Sequence, residues 1–362
     1  MSQQHPFLNT QKFLLGSFAS NCSGGMTISH LDDAWDASWE NNLKLAQLLD
    51  DAGIDFMLPI ARFIGYGGAS DFQGTVLETV TWAAALLAQT QNLTIFVTLQ
   101  TAVNHPMVVA KQIATLAQIS HDRVGLNIVA GWNKTEYQAL GIELPDDHTT
   151  RYAYAQEWHD LIQLAWTREH AFDFKGQYFN TQGSYAKPRP KYIPPIFNAA
   201  GSKEGRHFAV QNADFLFTPV SDLERSTAET QELKDLAQAQ ERRAQVMTFS
   251  HVICRPSLQE AQDEWQRQLL HTDTVALDNL MNLMFAHAQS FPADIRQQLR
   301  DRMAVGHGGF ALLGTPTQVA DQIESLHQAG FSGTTLSFFN YVEEFPYFRD
   351  QVLPLLKAKG LR

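Results

Sequence analysis

The sequence predicts an α/β protein built as a (β/α)8 TIM barrel with insertions. Three observations carry that prediction. Strand-like and helix-like stretches alternate from one end of the chain to the other, and eight such pairs fit within its 362 residues. No stretch rich in Gly, Ser or Pro divides the chain, and no short-period repeat interrupts it. Strictly repeated βα units imply parallel strands joined by right-handed crossovers. Eight units at this length suit a closed barrel better than a doubly wound sheet, so a single domain over 1–362 is expected.

Taken in order, "KFLLGSF" (12–18) reads as the first strand. "ASWENNLKLAQLLDDAG" (37–53) is an amphipathic helix that stops at Gly53, a residue suited to a helix C-terminus. "IDFMLPIA" (54–61) is the second strand, and "VLETVTWAAALLAQT" (76–90) is a strongly apolar helix. "LTIFVTL" (93–99) is β-branched and bounded by polar residues, the clearest strand signal in the chain. "HPMVVAKQIATLAQIS" (105–120) carries Pro near a helix start. "VGLNIVAG" (124–131) is the fourth strand, with Asn127 inside an apolar run, and "YAYAQEWHDLIQLAWT" (152–167) is a long helix. The polar stretch 168–193 reads as an insertion or loop. "PIFNAA" (195–200), "DFLFTPV" (214–220) and "QVMTFSHVIC" (245–254) are strands five to seven, followed by helices at 202–213, 223–244 and 257–270. Residues 271–310 read as a mostly helical insertion. A helix at 315–331, a last strand "GTTLSFF" (333–339) and a closing helix at 345–360 complete the pattern.

Bulk properties narrow the function. Hydrophobic residues make up 44% and charged residues 18%, a globular balance. A net charge of −11 argues against nucleic acid or an anionic membrane as the main partner. An anionic ligand would have to rely on local cations or helix N-termini. No apolar run reaches membrane-spanning length, and the N-terminus lacks the pattern of a signal peptide. The two cysteines, Cys22 and Cys254, are far apart and have no metal-ligand spacing. A cytoplasmic protein with reduced thiols and no metal site is expected.

In a barrel of this kind the site lies at the C-terminal ends of the strands. Polar residues there are Asn21, Cys22, Ser23, Arg62, Asn104, His105, Asn127, Trp132, Asn133, Glu136, Ser202, His251, Asn340 and Tyr341. Each also has a structural reading. Asn127 reads equally as a core amide bonded to a neighbouring strand. Glu136 and Arg151 read as a surface ion pair, and Ser202 as a helix N-cap. His251, alone in an apolar strand, reads as structural, and Cys22 as a small buried thiol.

"VGLNIVAGWNKTEYQALGI" followed by "HTTRYAYAQEWHDLIQLAW" resembles the bacterial-luciferase-like flavin monooxygenases. The similarity is nearest to the branch of pyrimidine oxygenase, dimethylsulfone monooxygenase and alkanesulfonate monooxygenase. It extends through "FKGQYF" (174–179), "NAAGSKEGRHFA" (198–209) and the tail from "LLGTPTQVADQIESLHQAGF" onward. The resemblance implies reduced FMN (FMNH2) as cofactor and O2 as co-substrate. It also implies a separate NAD(P)H:flavin reductase as partner, and a homodimer or homotetramer. Cofactor-binding residues implied by it are Ala61 and Arg62 near the flavin ring, Asn127 and Glu136 in the fourth-strand motif, Arg151 and Tyr152 beside the phosphoribityl chain, and Ser202 at the phosphate. "SHVICRP" resembles an active-site segment of the alkanesulfonate enzymes, which makes His251 a candidate.

"GHGGFA" (306–311) matches a dinucleotide-binding pattern but follows a helix-like stretch, so it reads instead as a flexible active-site loop carrying His307. That loop has no arginine, and the cysteine that alkanesulfonate enzymes carry before helix 2 is absent near Val76. Both departures count against a sulfonate.

The implied reaction is oxygenation of a small sulfone, sulfonate or cyclic amide through a flavin peroxide, in a site kept dry by Trp132, Phe310, Phe338 and Phe339. His251 or His307 would set the peroxide's protonation or orient the substrate. A deazaflavin-dependent reductase and a non-catalytic flavin-binding barrel are the alternatives.

Overall fold

The computed structural model describes residues 5–199, 201–220, 222–284 and 293–362. The elements in chain order begin with a 3-10 turn at Pro6–Asn9, β1 (Leu14–Phe18), α1 (Trp39–Ala52), β2 (Phe56–Leu58), α2 (Thr79–Leu87) and β3 (Thr94–Gln100). They continue with α3 (Pro106–Ser120), β4 (Val124–Val129), α4 (Lys134–Ala139), α5 (His148–Thr167), β5 (Phe172–Lys175) and β6 (Asn180–Ser184). Then follow β7 (Ile196–Asn198), α6 (Lys203–Asn212), β8 (Phe215–Phe217), α7 (Leu223–Gln238), β9 (Gln245–Cys254) and α8 (Leu258–Leu270). The chain ends with α9 (Thr274–Met284), α10 (Ala293–Gly306), β10 (Phe310–Gly314), α11 (Pro316–Gln328), β11 (Gly333–Ser337), α12 (Tyr341–Gln351) and α13 (Leu353–Ala358).

Eight parallel strands close on themselves in the order β9-β11-β1-β2-β3-β4-β7-β8, with β8 returning to β9. All eight expected strands are present. The longest, β9, serves three neighbours in turn. Gln245–Met247 pairs with β8, Met247–His251 with β11, and Ser250–Cys254 with β10. β10 is therefore a ninth strand that sits outside the ring, on the half of β9 that β8 leaves free.

Three expectations change. The stretch 271–310 is helical in α9 and α10, but Phe310 opens a strand; residues 285–292 lie outside the described residues. The stretch 168–193 is not irregular: β5 and β6 form an antiparallel hairpin. The closing helix divides into α12 and α13, because Pro354 cannot donate to the turn before it and is accommodated only in a new first turn.

Helix ends follow side-chain capping. Ser38, His105, Asn133, Asp147, Ser202 and Asn340 each accept a backbone N–H in the first turn of the helix they precede. Ser202 is thus the N-cap that the sequence suggests, and His105, Asn133 and Asn340, named among the polar residues at the strand ends, are caps too.

The barrel is filled at its N-terminal end by aromatic rings. Phe56, Phe96, Phe197 and Phe215 are fully buried there, and Phe7 from the N-terminal turn lies edge-on to Phe56, Phe96 and Phe215 at 5.6–6.0 Å. Gly16 and Gly125 make room for this. A Cβ on Gly16 would run into the Phe56 ring, and one on Gly125 into Phe96. Around the ring, Leu15, Ile95, Val97, Leu126 and Ile128 face outward onto Leu45, Leu86, Ile113 and Leu161 of the helices. No helix among the described residues is long and apolar enough to cross a membrane.

Candidate functional site

The filled end leaves the C-terminal ends of the strands as the open mouth, where a cavity of about 510 Å³ lies. That is within the usual range for small-molecule sites. Its floor is aromatic. Phe217 at the end of β8 stacks on Phe249 of β9 at 5.7 Å, and Phe18 at the end of β1 meets both edge-on at 5.4 and 5.9 Å. Arg62 and Ile60 form the wall after β2, Trp132 the wall after β4, and Thr218 and Pro219 the wall after β8. Gly201 and Arg206 bring the start of α6 to the rim, and His307 closes the side next to α10.

Arg62 is the cation on the wall after β2, and Arg206, Arg225 and Glu229 also line the cavity. Its guanidinium sits 4.8 Å from the Tyr66 ring and 5.3 Å from the Trp132 ring, within cation–π reach of each. Nε and Nη1 are buried without a hydrogen-bond partner. Trp132 is 42% exposed and so forms a rim rather than a core contact. Ala61 borders a second, smaller cavity of about 110 Å³ beside Gln100.

Glu136 holds this wall from behind. It is 1% exposed; Phe63 N–H donates to its Oε1 at 2.7 Å, and Gln100 Nε2 donates to its Oε2 at 2.8 Å. The expected surface pair with Arg151 does not form. Arg151 is buried, donating from Nη1 to the carbonyls of Pro145 and Asp146 at 2.6 and 2.9 Å; its Nη2 lies 2.9 Å from His148 Nδ1.

Asn127 has a structural partner. Its Nδ2 donates at 3.1 Å to Oγ1 of Thr98, the residue directly opposite it on β3. The Thr98 hydroxyl donates in turn to Pro59 O at 2.5 Å. The amide nitrogen therefore follows the reading of Asn127 as a core amide bonded to a neighbouring strand.

Tyr152 stands between Arg151 and the α6 cap. Burial pushes its phenol pKa up, against the opposing influence of Arg151 and of the Ser202 hydroxyl. Its ring packs on Phe208 at 5.6 Å.

The two histidines differ. His307 lines the cavity, and its Nδ1 is buried without a partner. Burial and the nearby Arg62 charge lower its pKa to about 3, so it is neutral near pH 7. His251 does not reach the cavity wall. It is 1% exposed, sealed between β10 and β11 with Nδ1 3.1 Å from Ser337 Oγ, and burial lowers its pKa to about 4.

Other expectations are corrected too. Phe338 packs on Phe345 and Phe348 behind the barrel, Phe339 on Arg267, and Phe310 belongs to β10; none lines the cavity. The dry surface comes from Phe18, Phe217 and Phe249 instead, which sequence reading took as ordinary strand residues. Gln73 and Arg206 were missed as well, although Arg206 lies inside the quoted "NAAGSKEGRHFA". Cys22 is buried, and its thiol donates to Ala19 O at 3.0 Å, as a small core thiol would.

An aromatic floor, an arginine with two unpartnered nitrogens and a capped helix start on one rim suit a flat apolar ligand with an anionic tail. Among the described residues, no group of three or more His, Cys, Asp or Glu side chains could hold a metal.

Comparisons with known proteins agree with this picture. Residues 14–333 match the family model described as luciferase-like monooxygenase. An FMNH(2)-dependent dimethylsulfone monooxygenase of Pseudomonas fluorescens is 28% identical over 97% of this chain and 96% of that protein. The pyrimidine monooxygenase RutA of a Bradyrhizobium species is 30% identical over 96% and 98%. The crystal structure of DmoA from Hyphomicrobium sulfonivorans superposes with a TM-score of 0.86 at 20% identity, covering 97% of this chain and 89% of that one.

Proposed function

The chain belongs to the luciferase-like monooxygenases, and from that premise we propose that it is an FMNH2-dependent enzyme that oxygenates a small organic molecule with O2. The observation that carries the reading is the cavity itself: an aromatic floor at the barrel mouth, with Arg62 bearing unpartnered N–H groups on one wall and the α6 start on the rim.

The residues fit such a cofactor. Trp132, Arg62 and the floor suit the flat ring. Ser202, Gly201 and Arg206, backed by Arg151 and Tyr152, suit the phosphate, since a helix start and a guanidinium both favour an anion. Glu136 and Asn127 serve indirectly, by fixing the loop after β2 and the register of β3 against β4. Reduced FMN, when bound, supplies the electrons that activate O2, so that one oxygen enters the substrate and the other leaves as water. The protein's share is to exclude water and offer the neutral His307 as a hydrogen-bonding group beside the reacting atoms. His251 contributes through the β9–β11 contact and not by touching substrate.

Sulfones, sulfonates and cyclic amides or pyrimidines are the substrate classes to screen. We further propose a cytoplasmic homodimer or homotetramer served by a separate NAD(P)H:flavin reductase.

The test mixes the protein with FMN, a flavin reductase and NADH under air, and screens those classes for oxygenated product. Product that depends on FMN, O2 and this chain supports the proposal. Hydride transfer from a reduced deazaflavin without O2 consumption would replace it with a reductase. Tight FMN binding without product from any class would leave a non-catalytic flavin-binding barrel.

A further inference from the structure

Arg302, on the last turn but one of α10, makes no ion pair among the described residues, yet its guanidinium is half-buried. Its Nη2 donates to three backbone carbonyls: Val220 at 2.9 Å, Gly308 at 3.0 Å and Gly309 at 3.5 Å. Val220 follows Thr218 and Pro219, which line the cavity after β8. Gly308 and Gly309 follow His307, which lines it from the other side. One side chain therefore ties together two segments of cavity wall that come from distant parts of the chain.

The turn it holds is shaped to lie flat on β9. His307 and Gly308 both have left-handed backbones, with φ of 52° and 80°. A Cβ on Gly306 would come within 2.6 Å of the His251 Cβ, and one on Gly309 within 2.9 Å of the Phe249 ring. The glycines of "GHGGFA" thus let the turn press onto β9 rather than greet a nucleotide. His307 is the one residue of the four that carries a side chain, and it takes a conformation that is strained for a residue other than glycine. Gly308 N–H and Gly309 N–H bond within the segment, to Arg302 O and Gly306 O at 2.9 and 2.8 Å, so they do not tie it to the β8 side.

We propose that Arg302 is a positioning residue: it clasps the 306–309 turn to the segment after β8 and so keeps His307 at the cavity wall. The proposal rests on the oxygenase reading only for what His307 then does; the clasp can be tested without turnover. Burial depresses the Arg302 pKa, with no carboxylate contributing, as expected for a guanidinium that serves carbonyls alone.

The experiment is histidine carbethoxylation of the FMN-treated protein, read peptide by peptide by mass spectrometry, in wild type, R302M and R302K. FMN affinity is measured alongside by fluorescence quenching. In wild type His307 reacts slowly. In R302M it reacts about ten-fold faster, because losing the three bonds opens the turn locally, while His251 stays protected. R302K, which keeps a charge and N–H donors on a different side-chain geometry, falls between the two. Methylguanidinium added to the alanine variant, R302A, slows the reaction at His307. A His307 rate in R302M within about two-fold of wild type would overturn the clasp. If R302M also exposes His251 and His159, it has lost its fold and R302K decides: an unchanged His307 rate there overturns the proposal. Failure of wild type to bind FMN would instead strike the functional reading and leave this footprint intact.

Discussion

Replacing Glu136 separates two kinds of loss. Its carboxylate is 1% exposed and accepts from Phe63 N–H at 2.7 Å and from Gln100 Nε2 at 2.8 Å. In E136A both donors lose a charged acceptor. Phe63 lies on an exposed loop, so water can reach its N–H and the loss there is about 1 kcal/mol. Gln100 is 4% exposed, and its amide is left unpaired in the interior at about 2 kcal/mol. The sum is about 3 kcal/mol. With an unfolding entropy of about 2.1 cal/mol/K per residue over 362 residues, that lowers Tm by roughly 4 °C.

E136Q should behave differently. Its amide nitrogen would face the Gln100 nitrogen, donor against donor. But Gln100 Oε1 has no partner in the native protein, so Gln100 can turn its amide over and accept from the new side chain. The cost then falls below about 1 kcal/mol. Calorimetry and urea unfolding read the stabilities, and quenching of FMN fluorescence reads the affinity. E136A also frees the loop that carries Arg62, so its Kd for FMN should rise about ten-fold while that of E136Q stays near wild type. A Tm for E136A within a degree of wild type, or an E136Q as damaged as E136A, would refute the assigned bonding.

The remaining predictions are shorter. His251 has a folded pKa of about 4 against an ordinary 6.5, so its contribution to stability is whole above pH 6.5 and is lost as pH falls toward 4. The loss is about 1.4 kcal/mol per pH unit, or about 3 kcal/mol in all; urea midpoints between pH 7 and 4.5 should fall accordingly, and less steeply in H251N. G125A should destabilise by about 1–3 kcal/mol through its clash with the Phe96 ring, and F96L in the same chain should return part of it, as a double-mutant cycle would register. S202A removes the α6 cap, at about 1 kcal/mol; it should also narrow the preference for FMN over riboflavin in paired binding titrations, whereas an unchanged preference would move the phosphate elsewhere.

Most of the barrel was legible because period and length agree. Apolar runs of five to eight residues alternating with helical patterns leave few other arrangements. What escaped has physical reasons. The run "FALLG" of β10 is as apolar as any barrel strand, but it follows a glycine turn and precedes a helix without a βα spacing of its own. The β5–β6 hairpin shows too short a period to read: only Phe172 and Phe174 of the four-residue β5 alternate onto the core, β6 is polar throughout, and α4 is too short to show a period. In the site, Arg62, Trp132 and His307 were found because each follows a strand or glycine turn at the mouth. Phe18, Phe217 and Phe249 were not, because a two-residue period tells which face a side chain takes but not how high in the barrel the filling stops. The amide in the fourth strand has the same explanation from the other side: Asn127 meets Thr98 across the register, a pairing that no single strand reveals.

Phe7 and the four rings beneath it act as a stopper. A vessel closed at one end has one doorway, and larger molecules must use it in turn. Whatever settles deepest must arrive first and depart last. If a cofactor rests on Phe18, Phe217 and Phe249, the guest above it goes out before it, and the order of exchange is written into the shape of the container rather than into any single affinity.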